Sequence, residues 1–238
     1  MCWRANEAGE PGPAQNFRSM AGDVLVAIAM TDDEWVIVDT ETNGVYPPIC
    51  TVEIAAQRMV GWSPVGEPFR VLVNHDVPID PGAQAVHGYS REFLRQHGTD
   101  PRQAHSAFHA YAGDLPLVAY NISFDWNRVL EPEYARLQVP TTGRRGFCAM
   151  TLARRTIVET PNYRLDTLKR HFQLGDERSH QALNDVFSVV RLFERVLQRR
   201  LAGIGLHDFA AVAAYSRKTP VRSCQDRIRD LLTSGAQA

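Results

Sequence analysis

The sequence predicts an α/β protein: a five-stranded sheet flanked by helices. Three observations point there. Trp35-Val36-Ile37-Val38 is a continuous apolar run, as in a central strand covered on both faces. Residues 51–60 and 69–73 alternate apolar with polar across a short connection, the pattern of two neighbouring antiparallel strands. Beyond residue 80, helical periodicity and short apolar runs take turns, which adds a fourth and a fifth strand between helices.

Taken in order, residues 1–30 read as a disordered N-terminal extension, with Met20 and Met30 as alternative starts. The apolar stretch from Val24 to Met30 is too short, and lies behind too long a polar leader, for a secretory signal. The main domain is expected over residues 31–200, followed by a helical, basic extension over residues 201–238. After the first strand, Asn43-Gly44 and Pro47-Pro48 break the chain. Val52, Ile54 and Ala56 then alternate with Glu53 and Gln57. Gly61 to Glu67 reads as a loop, and Phe69, Val71 and Val73 alternate again, so the sheet opens as a three-stranded meander. Asp80-Pro81-Gly82 reads as a turn. Pro101 to Gly113 reads as a helix with proline at its start. Leu115 to Tyr120 is the fourth strand, and Ser123 to Leu137 a helix interrupted near Pro132. Gly143 to Gly146 is a loop, Phe147 to Met150 a fifth strand entering a helix, and Arg164 to Phe172 a short helix. The last long helix runs from Gln181 to Arg200. Its apolar stripe is Ala182, Val186, Val189, Val190, Phe193, Val196 and Leu197. His207 to Tyr215 and Gln225 to Leu232 read as helices of the extension, and no internal repeat is evident.

Composition narrows the class. With 44% apolar residues in 238, the chain can bury a sizeable core. The net charge of −1 is no footprint for nucleic acid, but its distribution is uneven. Residues 1–142 hold 9 Lys/Arg against 18 Asp/Glu, and residues 143–238 hold 17 against 9. An acidic half and a basic half could together hold a phosphate backbone near metal ions; a solvated surface of Arg-rich helices explains the split equally well. Cys2, Cys50, Cys148 and Cys224 are scattered without a CxxC pair, so neither a zinc site nor a redox centre is signalled, and a reduced, cytoplasmic setting is the simplest expectation. No apolar run is long enough to span a bilayer.

Chemistry concentrates in four acids. Asp39 and Glu41 follow the first strand's apolar run two residues apart, so both side chains point to one side. Like charges crowded there call for a compensating cation, and hard divalent ions prefer oxygen ligands. Asp185 falls on the inward stripe of the last helix, where an unpaired carboxylate is costly to desolvate. Asp125 opens a helix behind the fourth strand; by itself it also fits a helix-start acid favoured by the macrodipole. His180 precedes Asp185 by five residues, a rotation of roughly 500° in a regular helix, so the two cannot share a face. His180 is expected in the loop ahead of the helix, able to reach water beside the acids; alone, it fits a surface histidine.

These residues sit in blocks that resemble the DnaQ-like exonucleases with a DEDDh active site. The blocks are Val38-Asp39-Thr40-Glu41-Thr42-Asn43-Gly44, Val86-His87-Gly88, Asn121-Ile122-Ser123-Phe124-Asp125 and His180-Gln181-Ala182-Leu183-Asn184-Asp185. The resemblance covers about residues 33–200 in the right order. Cys148-Ala149-Met150-Thr151-Leu152-Ala153-Arg154-Arg155 also resembles a segment of exonuclease X and phage-type relatives, where the proofreading epsilon subunit more often carries an acidic Asp-Thr-Leu version. The resemblance implies a ribonuclease-H-like fold with a five-stranded mixed sheet. It also implies two Mg²⁺ or Mn²⁺ ions: Asp39, Glu41 and Asp185 would hold the first, Asp39 would bridge to the second, and Asp125 would complete the site. His180 would be the general base and a nucleoside 5′-monophosphate the product, released from a 3′ end. Thr42, His87, Asn121 and Phe124 match positions on the substrate side. Phe124 fits core packing as well, and Asn121 fits a cap on the following turn.

The leading functional expectation is a 3′–5′ exonuclease acting on single-stranded DNA, with a polymerase or repair protein as a possible partner. RNA trimming comes second, and a non-catalytic nucleic-acid-binding or polymerase-adaptor module, or hydrolysis of small phosphodiesters, stays open. Two further features carry less. His105 and His109 have the i, i+4 spacing of metal-binding helices but lack an accompanying Glu, so an exposed surface helix is expected. Trp62 is placed in a hairpin loop, resting on the sheet edge or stacking on a base.

Overall fold

The computed structural model describes residues 33–175, 181–218 and 220–235. Its sheet has five strands in the order β3-β2-β1-β4-β5: β1 (Glu34–Thr42), β2 (Thr51–Val60), β3 (Ser63–Leu72), β4 (Pro116–Ala119) and β5 (Arg144–Cys148). β1 pairs antiparallel with β2 and β2 with β3, while β4 runs parallel to β1 and β5 parallel to β4. The sheet is therefore mixed, and its meander of β1–β3 is as the alternation predicts. The tail over residues 1–30 lies outside the described residues.

Between β3 and β4 come α1 (Pro81–His87), α2 (Arg91–His97) and α3 (Pro101–Ala112). The first two correct the sequence reading, which left this stretch without helices. Asp80 caps α1 through its carboxylate with Pro81 at the helix start, and the Ser90 hydroxyl caps α2. Both caps are legible, but helices of 7 residues have no periodic stripe to announce them.

After β4 the chain forms α4 (Ile122–Phe124), a wide-turn π segment (Asp125–Leu130) and α5 (Glu131–Leu137) without a gap. The expected interruption near Pro132 takes the form of this widened turn, just ahead of a residue that has no N–H to donate. β5 leads into α6 (Ala149–Thr156) and then α7 (Leu165–Phe172). The last long helix is α8 (Ala182–Leu192), a second π segment (Phe193–Leu197) and α9 (Gln198–Gly203). α10 (Phe209–Lys218) and α11 (Val221–Gly235) follow. Leu201, Ile204, Val212, Tyr215, Cys224 and Ile228 join the same core as Trp35 and α8, and Arg217 and Arg227 donate to the carbonyls of Gly146 and Ile204.

The sheet divides two cores. Odd-numbered β1 residues Trp35 and Ile37 face α6, α8 and the C-terminal helices; even-numbered Val36 and Val38 face α3, the first π segment and α5. The period of two in β1 thus sends Asp39 and Glu41 toward α8, and Thr40 and Thr42 toward the other layer. Trp62 corrects two expectations at once. The β2–β3 turn is Gly61-Trp62 rather than a loop to Glu67, and Trp62 is buried, meeting Trp35 edge-on at 5.9 Å and stacking on Phe193 at 5.7 Å. It is a core residue, out of reach of a base; such aromatic pairs contribute about 0.5–1.5 kcal/mol beyond their buried area.

Among the described residues, no helix is long and apolar enough to cross a membrane.

Candidate active site

β1 ends the construction of one charged cluster. Asp39 and Glu41 project from its α8-facing side, and Asp185 comes from the first turn of α8. One carboxylate oxygen from each lies within 4.8 Å of the others. Neither the Asp39 nor the Glu41 carboxylate has a hydrogen bond or ion pair among the described residues, so their repulsion is not relieved by the protein. Burial first, then the charges of Asp125, Asp185, Glu41 and Glu53, pushes the Asp39 carboxyl well above its ordinary value. Burial, then Glu53, Asp185 and Asp125, pushes Glu41 to about 8.

Asp125 arrives from the opposite layer. Its Oδ1 accepts hydrogen bonds from the Thr40 N–H at 3.1 Å and the Thr40 hydroxyl at 2.8 Å. It lies outside the three-acid group, yet its charge is felt by both Asp39 and Glu41. Burial outweighs the Thr40 hydrogen bonds and raises its carboxyl to about 7. The π segment starts at Asp125, and such widened turns recur at functional sites.

Two residues that the sequence reading did not assign to the site shape the cluster. Glu53 stands opposite Glu41 in the β1–β2 register and is fully buried. Its carboxylate accepts from Arg70 Nε at 2.6 Å, the Tyr89 hydroxyl at 2.9 Å and the Ala182 N–H at 3.1 Å, so it ties β2 to the start of α8. Lys169 of α7, buried, places its Nζ 2.7 Å from Asp185 Oδ1. Lys169 was visible in principle: it stands four residues after Leu165 and three before Phe172, on the inward stripe of α7.

The remaining sequence candidates divide. His87 is buried, with Nδ1 accepting from the Tyr89 N–H at 3.0 Å and Nε2 3.2 Å from the Thr42 carbonyl. With Nδ1 an acceptor, Nε2 carries the proton and donates to Thr42. Burial lowers its pKa, which favours the neutral ring. Gly88, at φ 81°, ends α1 in the left-handed region and lets the chain turn at once toward Tyr89. The Thr42 hydroxyl donates to the Gly44 carbonyl at 2.9 Å. Asn121 is exposed and its side chain makes no cap hydrogen bond, while its carbonyl accepts from Phe124 N–H. Phe124 is half-buried, belongs to neither core, and carries the Arg128 guanidinium 5.4 Å above its ring. His180 lies outside the described residues; it immediately precedes Gln181, which stands at the N-cap position of α8 without a side-chain cap bond.

His105 and His109 need a correction of their own. α3 is not an exposed helix on that side: His105 is fully buried, 3.2 Å from the Glu133 carboxylate and edge-on to Tyr134.

A mixed five-stranded sheet bearing converging acids from its central strand and a late helix defines a ribonuclease-H-like architecture. The RNase_T family model, described as exonuclease, matches residues 36–193, and the chain belongs to this DnaQ-like exonuclease family. It is 29% identical over 197 residues to a Mycobacterium tuberculosis protein named as a candidate bifunctional exonuclease/endonuclease, covering 79% of this chain and 30% of that one. It is 28% identical over 207 residues to the PolC-type DNA polymerase III of Bacillus subtilis, covering 80% of this chain and 14% of the polymerase. The chain thus spans less than a third of the length of either relative. Among solved structures it is similar in fold to E. coli exonuclease I in complex with a dT13 oligonucleotide, with TM-score 0.62, 19% identity, and coverage of 72% of this chain and 43% of that one.

The donor set fits hard divalent cations. It consists of carboxylate oxygens close together; burial and then neighbouring acids raise the Asp39 and Glu41 carboxyls, and neither of these two is paired with a protein cation among the described residues.

Proposed function

We propose that the protein is a metal-dependent 3′–5′ exonuclease that hydrolyses the terminal phosphodiester of single-stranded DNA and releases nucleoside 5′-monophosphates. The observation that carries this reading is the convergence of Asp39, Glu41 and Asp185 on one point, with the Asp125 charge adjoining. Asp39, Glu41 and Asp185 would hold one Mg²⁺ or Mn²⁺, and Asp125 would help Asp39 to hold a second. Bound there, the ions supply charge stabilisation for the attacking and leaving oxygens of an in-line displacement. Lys169 keeps Asp185 oriented toward the cluster, and Thr40 does the same for Asp125. His180 takes the proton from the attacking water as the water oxygen bonds to phosphorus and the bond to the 3′ oxygen breaks; an imidazole titrates in the right range for this. Thr42, Asn121 and Phe124 border the terminal nucleotide, and His87 acts on it through the Thr42 backbone it holds.

The match to a segment of PolC-type DNA polymerase III supports a polymerase or repair protein as partner. A panel of 3′-end substrates tests the reading: single-stranded, duplex and mismatched DNA, RNA, dinucleotides and 3′-blocked controls, each with Mg²⁺ and with EDTA. Mononucleotide release from single-stranded DNA, stopped by EDTA and by a 3′ block, is expected. Faster release from RNA would move the assignment to RNA trimming, and tight binding without products would make the chain an adaptor. His180→Ala should slow hydrolysis by about 10²–10⁴-fold and remove the acidic limb of the pH–rate profile; an unchanged profile would remove His180 from the base role.

A further inference from the structure

A second cluster of metal-ligating side chains lies on the other side of the sheet and has no part in the proposed hydrolysis. Cys50 just before β2, His75 after β3 and Glu133 on α5 bring a thiol sulfur, a ring nitrogen and a carboxylate oxygen within 4.8 Å of one another. All three side chains are buried, Glu133 completely. His105, from α3 and also completely buried, adds its Nε2 at 3.2 Å from the second Glu133 oxygen. Three chain segments distant in sequence therefore deliver S, N and O donors to one place, and His105 borders Glu133 from a fourth.

The geometry of the imidazoles is informative. His75 Nε2 is 2.6 Å from Glu133 Oε1, yet neither His75 Nε2 nor either ring nitrogen of His105 makes an aligned hydrogen bond. A histidine paired to a carboxylate for its own sake points its N–H along the contact. At 2.6 Å the His75 contact is closer than two ligands of one tetrahedral ion stand, so an entering ion would part this pair and take up the ring nitrogen that lacks an aligned hydrogen bond. The other polar contacts of the cluster come from around it. Thr51 N–H reaches the two Glu133 oxygens at 3.4 and 3.2 Å. Arg136 Nη2 lies 3.1 Å from Glu133 Oε1, 3.4 Å from Cys50 Sγ and 3.0 Å from the Ile49 carbonyl. These are outer partners that orient the carboxylate and the sulfur.

We propose that Cys50, His75 and Glu133 form a buried three-donor site for a zinc-class transition metal. Thiolate and imidazole donors select such ions over Mg²⁺ or Ca²⁺. Bound there, an ion would link the start of β2 to the end of β3 and to α5. Through Cys50 it also reaches the proposed catalytic strand: Asn43 N–H donates to the Cys50 carbonyl at 2.9 Å and Cys50 N–H to Asn43 Oδ1 at 2.7 Å, two residues beyond Glu41. The inference is independent of the nuclease reading, because no residue is shared between the two clusters.

The test is a Co²⁺ titration of the chelator-stripped full chain in excess Mg²⁺, which occupies the carboxylate cluster. One equivalent of Co²⁺ should give the visible absorption of four-coordinate cobalt and a near-ultraviolet thiolate-to-cobalt band, both displaced by Zn²⁺. Cys50→Ser should lose the thiolate band, and His75→Gln should weaken binding by more than about 10-fold, while Asp39→Asn leaves both features intact. Zn²⁺ should also raise the melting temperature of the wild-type chain more than that of His75→Gln, a readout that does not need Cys50→Ser to fold. Folded wild-type chain without stoichiometric cobalt absorption would overturn the site and leave a network of Arg136 and the histidines around Glu133. So would a thiolate band that survives Cys50→Ser, or one that disappears in Asp39→Asn.

Discussion

Two carboxylates, the half-buried Glu41 and the fully buried Glu133, sit in opposite electrostatic settings. Around Glu41 stand other acids, and burial together with Glu53, Asp185 and Asp125 pushes it to about 8. Around Glu133 stand His105, His75, Arg136 and the Thr51 N–H, and although burial raises it, the histidine contacts outweigh burial and hold it at about 2. The same chemical group is left short of positive charge at one site and supplied with it at the other. The first arrangement calls for cations from outside; at the second, protein cations already offset the carboxylate charge, so an ion there would be held by its thiol and imidazole donors and not demanded by repulsion. The nuclease reading proposed above rests on this contrast more than on the number of acids.

The largest effect that would break this contrast is on activity. Asp39→Ala and Asp185→Ala should each lower mononucleotide release by about 10³-fold or more, the scale of losing several kcal/mol of charge stabilisation, while circular dichroism shows the fold retained. Full activity in either variant would remove these carboxylates from the catalytic role. The reverse pattern is expected for Glu133→Gln. Removing the carboxylate from its buried partners should cost about 3–5 kcal/mol of stability, read by urea denaturation, with little change in kcat for the folded fraction. A variant as stable as wild type would show that Glu133 is not the charge centre of its cluster.

A smaller effect sharpens the comparison through pH. In the metal-free protein Glu41 and Asp125 keep protons up to about 8 and about 7, whereas in the unfolded chain they ionise near 4.5 and 3.8. Between those limits the folded state binds more protons than the unfolded one, so stability falls as pH rises through the window. The melting temperature should therefore be lower at pH 8 than at pH 5.5 in EDTA. Mg²⁺ or the double substitution Asp39→Asn/Glu41→Gln should flatten the slope. A melting temperature that climbs with pH in EDTA would contradict the electrostatics assigned to the cluster.

Much of this was legible in the chain because periodicity and chain order carry it. The Trp35–Val38 run marked the central strand, and the i, i+2 spacing of Asp39 and Glu41 put both acids on one face, as the structure has them. The inward position of Asp185 on the stripe of α8 was equally readable. What escaped depends on register and on contacts between distant segments. Glu53 looked like the outward half of an alternating strand, but β2 is an interior strand, so both of its faces are covered. Trp62 looked like a loop residue because Gly61 signals a turn; the turn is so tight that Trp62 folds back onto Trp35 and Phe193. His105 looked exposed because its partner, Glu133, stands 28 residues away and no local spacing reports the pair.

The central claim is that the acids from β1 and α8 tolerate one another by sharing divalent cations. Mn²⁺ binding, followed by loss of the free-ion electron paramagnetic resonance signal with Zn²⁺ present to fill thiolate sites, tests it most directly. The wild-type chain should take up Mn²⁺ that Mg²⁺ displaces, and Asp39→Asn/Asp185→Asn should take up none at the same concentrations. Equal uptake by the two chains, or none by folded wild-type protein, would contradict the account.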